Sequence, residues 1–379
     1  MFLVAGAVLL PGAGEAKPGW IEIAGERIVA VGHGVAPRPA DERLEGTVVP
    51  GFVDVHSHGG GGASFVTLDP GEVETALAAH AAVGTTTMVA SLVTGALPDL
   101  VDQVRMLRGL WEDGRIAGVH LEGPWLAPER KGAHPPELLA DPDPDSVRQL
   151  LDAGSGAVRM VTIAPERAGA IEAVRTLAGE GVVAAVGHTA ADFETAVAAI
   201  EAGATGATHL FNAMPPMLHR DPGPVLALWR DQRVVLEMVL DGVHVRPELA
   251  AFVFASAPGR VALVTDAMAA AGAPDGDYQL GELQVEVRDR VARVAGTDTI
   301  AGSTLTLDRA VRIAVAAGVP FASAVDAATR VPADYLGLAE VGRLAPGAYA
   351  DLAVLDAELC VSRVMRRGAW IAGRAPGTP

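Results

Sequence analysis

Two histidines, His56 and His58, follow an apolar run at 48–55 and are separated by one residue. Alternate residues of a strand point to the same side, so we expect both imidazoles to face one site. This spacing suits a divalent metal, although the motif alone is equally compatible with two structural histidines. The glycine run at 59–62 removes side chains where the chain must turn, which leaves room for a ligand.

Metal-ligand residue types also stand at the ends of four later strand-like runs. Short apolar segments lead into Glu122, His188, His209 and Asp266. The C-terminal ends of the strands in a parallel barrel lie on one face, so residues far apart in the sequence converge there. Asp266 taken alone would also suit a helix N-cap, but in register with the other strand-end ligands it predicts a catalytic residue.

The order of the segments predicts an α/β fold with a (β/α)8 TIM-like barrel at 48–335. Eight strands are counted from the one before His56 to the one before Asp266. Ala-rich helices are predicted between them and beyond, at 72–83, 99–112, 146–153, 168–180, 192–202, 247–255 and 307–317. Short β-like pieces predict a small β-sandwich domain built from both termini, residues 1–47 plus 336–379, and a further hairpin at 278–294.

Composition limits the partners. The chain has 379 residues, 50% of them hydrophobic, and a formal charge of -17, which argues against nucleic acid or an anionic membrane surface as a partner. A small anionic substrate would need a local basic cluster. The single cysteine, Cys360, suits a reducing compartment, and no segment is long and apolar enough to span a membrane, so we expect a cytoplasmic protein.

The same motifs resemble a known family. The segment at 50–58 resembles the opening motif of the amidohydrolase superfamily. Those around Glu122, His188, His209, His244 and Asp266, with the segment at 301–303, resemble N-acetylglucosamine-6-phosphate deacetylases over essentially the whole chain. The resemblance implies hydrolysis of the acetamide of N-acetyl-D-glucosamine 6-phosphate to D-glucosamine 6-phosphate and acetate. The alternative is N-acetylgalactosamine 6-phosphate, or several N-acetylated amino-sugar phosphates.

The resemblance also implies a metal centre with one or two ions per subunit. Zinc is expected, and iron, cobalt or manganese would also accept histidine and carboxylate ligands. The residues implied to hold the first ion are Glu122, His188 and His209. His56 and His58 would hold a second ion and share Glu122 or Asp266. Lysine occurs only as Lys17 and Lys131, so no strand end offers the lysine that many two-metal hydrolases use as a bridge.

Further roles follow from the same resemblance. Asp266 would act as general acid/base with a metal-activated water, and His134 would contact the substrate beside the reacting amide. Arg220 and His244 would hold the phosphate, with Arg220 contributed across the interface of a homodimer. The residues implied to bind substrate are Ala133, His134, Asn212, Ala213, Arg220, Asp241, His244, Ile300, Ala301 and Gly302.

Two more distant interpretations remain. A cyclic-amide or dipeptide hydrolase of the same superfamily is disfavoured by the absence of a strand-end lysine and by the motif around Arg220. A metal-free structural protein with the same barrel would have lost its ligands, whereas all of the ligand types are present here. His120 is predicted to fill the barrel or to support a ligand rather than to bind metal.

Overall fold

The computed structural model describes residues 1–371 of the chain. In sequence order, its strands are β1 (Phe2–Val8), β2 (Lys17–Ala24), β3 (Arg27–His33), β4 (Glu42–Pro50), β5 (Phe52–Asp54), β6 (Gly59–Gly60), β7 (Ala63–Ser64), β8 (Thr85–Val93), β9 (Gly118–Glu122), β10 (Val158–Ile163), β11 (Val183–Val186), β12 (Gly206–Ala207), β13 (Val235–Met238), β14 (Val261–Leu263), β15 (Gly276–Leu280), β16 (Leu283–Arg288), β17 (Val291–Val294), β18 (Leu352–Leu355), β19 (Val361–Arg366) and β20 (Ala369–Ile371).

The helices, also in sequence order, are α1 (Pro70–Ala81), α2 (Leu97–Glu112), α3 (Pro144–Gly154), α4 (Ala170–Gly179), α5 (Phe193–Ala202), α6 (Gly223–Arg230), α7 (Pro247–Ser256), α8 (Leu307–Ala316), α9 (Phe321–Ala327) and α10 (Arg330–Tyr335). Two short 3-10 helices, Pro128–Arg130 and Pro136–Leu138, lie between β9 and α3. In the part of the chain that is described, no helix is long and apolar enough to cross a membrane.

The barrel prediction is confirmed. One sheet contains eight strands in the order β14-β13-β12-β11-β10-β9-β8-β5, and every recorded pairing within it is parallel. The two edge strands meet just beyond their ends, where the backbone N–H of Asp266 donates to the carbonyl of His56 at 2.9 Å and that of His58 donates to the carbonyl of Ala267 at 2.7 Å. Barrel closure therefore brings the first and last candidate site segments together.

The helices between the strands follow local signals. Asp69, Asp143 and Asp192 cap α1, α3 and α5 by accepting hydrogen bonds from backbone N–H groups of the first turn. The seven predicted helices are all present. Helices α6, α9 and α10 were missed because they are short, and short apolar segments are ambiguous without their tertiary context.

The two termini together form a separate sheet. Its seven strands have the order β20-β19-β18-β4-β1-β2-β3 and enclose a hydrophobic core of their own, distinct from that of the barrel. The predicted sandwich is thus one continuous sheet in its hydrogen bonding, because β4 pairs with β1 on one side and with β18 on the other. Strand β4 crosses the predicted boundary at 47/48, and residues 372–379 of the predicted domain lie outside the described residues.

The predicted hairpin at 278–294 is a three-stranded antiparallel sheet, in which β16 pairs with both β15 and β17. A small apolar cluster joins it to the barrel mouth through Met268 and Ala301. The predicted hairpin accounts for β16 and β17, and it missed β15 as a separate strand that begins at Gly276. This sheet positions the segment around Ile300 beside the barrel opening, where the isolated bridge between Arg293 and Ile300 ties that segment to β17.

Candidate active site

The predicted metal ligands converge at the C-terminal end of the barrel. Glu122 ends β9, His56 and His58 follow β5, and the others follow β11, β12 and β14. His188, His209 and Asp266 have positive φ angles of 46°, 30° and 48°. A left-handed conformation is uncommon for residues other than glycine, and such strain is concentrated at functional sites. The strand ends are therefore bent to aim these side chains at the barrel axis.

One cluster brings together Glu122, His188 and His209. Oε1 of Glu122 lies 3.2 Å from Nε2 of His188 and 3.1 Å from Nε2 of His209, and the two nitrogens are 2.9 Å apart. Ligands about 2.0 to 2.1 Å from a tetrahedral zinc ion are roughly 3.3 Å from one another. The spacing of these three atoms therefore fits a common divalent ion.

A second cluster contains His56, His58, Glu122 and Asp266, all buried. Nε2 of His58 lies 3.1 Å from Oε2 of Glu122 and 3.2 Å from Oδ1 of Asp266. Nε2 of His56 lies 3.2 Å from that of His58 and 3.5 Å from Oδ1 of Asp266. These separations also fit ligands around one ion. Glu122 belongs to both clusters, because Oε1, which approaches His188 and His209, also lies 3.5 Å from Nε2 of His56.

In three of the histidines, the ring nitrogen that faces away from the clusters contacts an oxygen that can only accept a hydrogen bond. Nδ1 of His58 faces the carbonyl of Ser91 at 3.2 Å, and Nδ1 of His188 faces the carbonyl of Arg130 at 2.8 Å. Nδ1 of His56 lies 3.1 Å from Oε2 of Glu237. Because carbonyl and carboxylate oxygens only accept, each imidazole keeps a proton on Nδ1, and Nε2 is the nitrogen that faces the clusters and would offer its lone pair to a metal. Lone pairs and carboxylates placed face to face repel unless a cation lies between them, so the donors fit a metal.

The electrostatics favour positive charge at the same place. Burial lowers the pKa of His58, but the carboxylates of Asp266 and Glu122 outweigh burial and raise it to about 9. Burial raises the pKa of Asp266, while His56 and His58 lower it by more, so this pKa is below its usual range. The field that favours a proton on Nε2 also favours a metal ion there.

His134 also reaches the site but differs from the other histidines. Its Nε2 lies 3.7 Å from Oε2 of Glu122, and it could form a ligand group with Glu122 and His188. However, the backbone N–H of Thr94 donates to Nδ1 at 3.4 Å, and the Thr94 hydroxyl lies 2.9 Å from the same nitrogen. These contacts favour a proton on Nε2. Burial and the neighbouring His188 lower the pKa of His134 to about 3, so it is a neutral hydrogen-bond donor rather than a ligand.

A cavity of about 390 Å³ opens above the clusters. Ala133, His134, Asn212, Ala213, His244, Ile300 and Gly302, all predicted to bind substrate, line it. Asp241 lies behind His244 and accepts from its Nδ1 at 2.8 Å, and Ala301 is buried beneath its neighbours. Arg220 is exposed and does not line the cavity. The structure therefore brings all the predicted substrate residues to the cavity or its wall except Arg220.

Four charged residues of the site were missed in the sequence. Glu237 is a lone charged residue within the apolar run at 234–240, and that isolation was the available signal. Glu129 and Arg130, in the first 3-10 helix, and Asp298, in a loop, line the cavity and carry no sequence signal of their own. Among the described residues, Arg130 is the only arginine or lysine in the cavity wall. The ring of His120 packs edge-on against that of His56, with the centroids 4.6 Å apart, while its nitrogens lie 3.0 Å from Oγ of Ser91 and 2.8 Å from Oγ1 of Thr162.

The chain is similar to known proteins over most of its length. The model of the amidohydrolase family matches residues 47–371. An N-acetylgalactosamine-6-phosphate deacetylase of Escherichia coli O157:H7 is 36% identical and covers 94% of this chain and 96% of its own, and the human N-acetylglucosamine-6-phosphate deacetylase is 38% identical with 86% and 84% covered. The crystal structure of N-acetyl-D-glucosamine-6-phosphate deacetylase from Mycobacterium smegmatis is 52% identical, with a TM-score of 0.95 and 98% and 100% covered.

Proposed function

The chain belongs to the amidohydrolase family, and we propose that it hydrolyses the acetamide of N-acetyl-D-glucosamine 6-phosphate to D-glucosamine 6-phosphate and acetate. The observation that carries the proposal is the convergence of two histidine clusters on the carboxylate of Glu122, directly below a cavity of about 390 Å³. The relatives that are similar over most of their length are named as deacetylases of amino-sugar phosphates. The chain is therefore an enzyme that cleaves a carbon–nitrogen bond.

Two divalent ions per subunit, with zinc as the preferred metal, are part of the proposal. Glu122, His188 and His209 would hold one ion. His56 and His58, with Glu122 or Asp266, would hold the other. A bound ion supplies a Lewis acid that polarises the acetyl carbonyl and makes water a better nucleophile. The donors are nitrogen and oxygen only, so iron, cobalt and manganese remain chemically compatible.

Asp266 would move the proton. Its Oδ1 lies 3.2 Å from Nε2 of His58, and its lowered pKa keeps it ionised at neutral pH, as a general base requires. It would accept a proton from the attacking water and return it to the nitrogen of the departing sugar amine. An amine leaves poorly unless it is protonated, so the second transfer is as necessary as the first.

His134 would act on the carbonyl oxygen. The neutral imidazole presents Nε2–H to the cavity, where it would donate to the oxygen that gains negative charge as water attacks. A donor placed in advance at such an oxygen is typically worth ~3 to 4 kcal/mol. The hydrogen bond from the backbone of Thr94 to Nδ1 keeps the proton of this imidazole on Nε2.

The sugar phosphate would lie along the remaining wall. Asn212, Ala213, Ile300 and Gly302 line the cavity, and His244, held by Asp241, would contact the phosphate. Burial lowers the pKa of His244, but Asp241 outweighs it and raises that pKa above its usual value, which favours an anion nearby. Arg130 in the wall would add a fixed cation from the same subunit.

A homodimer is also part of the proposal. Arg220 is exposed and outside the cavity of its own subunit, beside Met217 and Leu218, whose exposed fractions are 48% and 55%. An arginine at the edge of an exposed apolar patch suits a contribution to the site of a second subunit. Coexpression tests this arrangement: Arg220→Met and Asp266→Asn subunits, each inactive alone, should form mixed dimers with one intact site. Mixed dimers that remain inactive, or an active monomer in sedimentation, would refute it.

The galactosamine epimer is the second candidate, because the Escherichia coli relative is named for it. The deciding experiment measures acetate released by zinc-loaded protein from N-acetylglucosamine 6-phosphate, N-acetylgalactosamine 6-phosphate and unphosphorylated N-acetylglucosamine. We expect the first to react with the highest kcat/KM and the last to react poorly. No acetate from any of them, with zinc demonstrably bound, would refute the proposed function. A cytoplasmic location stays a prediction, supported by the single free cysteine, Cys360.

A further inference from the structure

A buried carboxylate outside the two histidine clusters lies behind one of them. Glu237 is on β13 and is fully buried, with an exposed fraction of 0%. A buried carboxylate is costly unless it is paired, and the only ion pair that Glu237 makes within the described chain is with Nδ1 of His56 at 3.1 Å. The run around it is otherwise apolar. Its presence there calls for a reason beyond packing.

The contact with Glu237 determines what His56 offers to the metal centre. With the proton held on Nδ1, Nε2 keeps its lone pair and faces the second cluster, 3.2 Å from Nε2 of His58 and 3.5 Å from Oδ1 of Asp266. The other tautomer would place a hydrogen between these atoms and exclude a metal. A carboxylate behind a ligating histidine also makes the imidazole a stronger ligand.

A tyrosine reaches Glu237 from outside the barrel. The hydroxyl of Tyr335, at the end of α10, lies 3.5 Å from Oε1 of Glu237. Burial and the negative charge of Glu237 raise the pKa of this phenol well above its usual value, so the hydroxyl stays protonated and donates. A Cβ added at Gly206 on β12 would overlap the Tyr335 hydroxyl, so glycine at this position opens the barrel wall to it.

We propose that Glu237, oriented by Tyr335 through the opening at Gly206, is a positioning residue that fixes the tautomer of His56 and thereby selects for metal at the His56 and His58 site. The inference rests on the metal centre of the proposed function. Within the described chain, the Glu237 carboxylate makes no hydrogen bond or ion pair with Glu122, His188 or His209, so we expect its effect to be confined to one of the two ions. It touches neither substrate nor the reacting atoms.

The test measures zinc binding rather than catalysis. Apo protein is titrated with zinc against a chromophoric chelator, and bound zinc is counted by elemental analysis. Wild type is expected to take two ions per subunit. Glu237→Gln, which keeps the shape but loses the charge, is expected to weaken one of them by roughly 10 to 100-fold and leave the other unchanged. Glu237→Leu, which removes the acceptor, should weaken the same ion further.

Two further variants separate positioning from folding. Tyr335→Phe keeps the ring and removes the hydroxyl, so it should weaken the same zinc ion by less than Glu237→Gln. Asp351→Asn makes the same chemical change at a buried carboxylate just before β18, far from the histidine clusters in the fold, and should leave both ions unchanged. Nitrogen NMR of His56 in zinc-loaded protein should show the proton on Nδ1 in wild type and a mixture of protonation states in Glu237→Leu.

The outcomes are decisive in both directions. Selective weakening of one ion with a changed tautomer of His56 would support the inference. A single zinc ion in wild type, equal weakening of both ions, or unchanged binding in Glu237→Leu would overturn it. None of these results depends on acetate release, so failure of this inference and failure of the proposed substrate are distinguishable.

Discussion

Oε2 of Glu122 lies 3.1 Å from Nε2 of His58, while Oε1 of the same carboxylate lies 3.1 Å from Nε2 of His209. One side chain therefore spans the two histidine clusters. Loss of its charge should weaken the binding of both metal ions, whereas loss of a histidine from one cluster should weaken the binding of one.

Glu122→Gln should consequently lose affinity at both metal positions, by about 100-fold or more at each, because an amide is a much weaker ligand than a carboxylate. His58→Asn should lose only one ion. Elemental analysis after dialysis against a weak chelator makes the measurement. If the Glu122→Gln protein keeps one ion at wild-type affinity, the carboxylate does not serve both metal positions.

Asp266→Asn should lower kcat for acetate release by roughly 10² to 10⁴-fold, since an amide cannot accept the proton of the attacking water. The ion held by Glu122, His188 and His209 should remain, because Asp266 is not part of that cluster. Steady-state kinetics with metal analysis of the same sample tests both statements. Retention of more than a tenth of wild-type kcat would exclude the proton-transfer role.

His134→Leu should lower kcat by about 10² to 10³-fold through loss of the Nε2–H donor. His134→Gln, which retains an N–H donor, should lose less. A comparable loss in both variants would point to packing rather than donation. Unchanged kcat in the leucine variant would exclude any contact with the reacting carbonyl.

The protonation of His134 gives a pH prediction. Its pKa of about 3 lies below the usual value for histidine, so the imidazole should remain neutral between pH 5 and 8. A nearby metal ion would lower the pKa of His134 further, so the imidazole should be neutral with or without bound metal. Carbon and nitrogen NMR shifts of this ring should stay flat over that range in the folded protein. A titration midpoint near 6.5 would contradict the prediction.

Arg130→Met should raise KM for the phosphorylated sugar by roughly 10-fold or more, because a charge-assisted hydrogen bond is worth about 1.5 to 3 kcal/mol. The weak reaction with unphosphorylated N-acetylglucosamine should be unchanged. The Arg130 carbonyl that holds His188 belongs to the backbone and survives the substitution. Arg246→Met, at an exposed arginine, is the control. Equal losses for both sugars would mean that Arg130 does not contact the phosphate.

Much of this protein could be predicted from local patterns. Apolar runs that alternate with helical segments predict the eight barrel strands, and Glu122, His188 and Asp266 stand at the ends of three of them, which share one face of a parallel barrel. The motifs around these residues also indicate the family and the reaction. Strands, helices and motifs depend on residues that are close together in the sequence, so the sequence alone is enough to predict them.

Only the tertiary structure decided which groups support and surround the site. Glu237 lies 181 positions from His56 in the chain, and Tyr335 reaches it only because Gly206 leaves a gap in an intervening strand. Arg130 enters the cavity while Arg220 stays outside it, although both are arginines in segments between barrel strands. The sequence by itself determined the barrel and its ligand types. Long-range packing decided tautomers, cavity walls and charge placement, because these depend on atoms that only folding brings into contact.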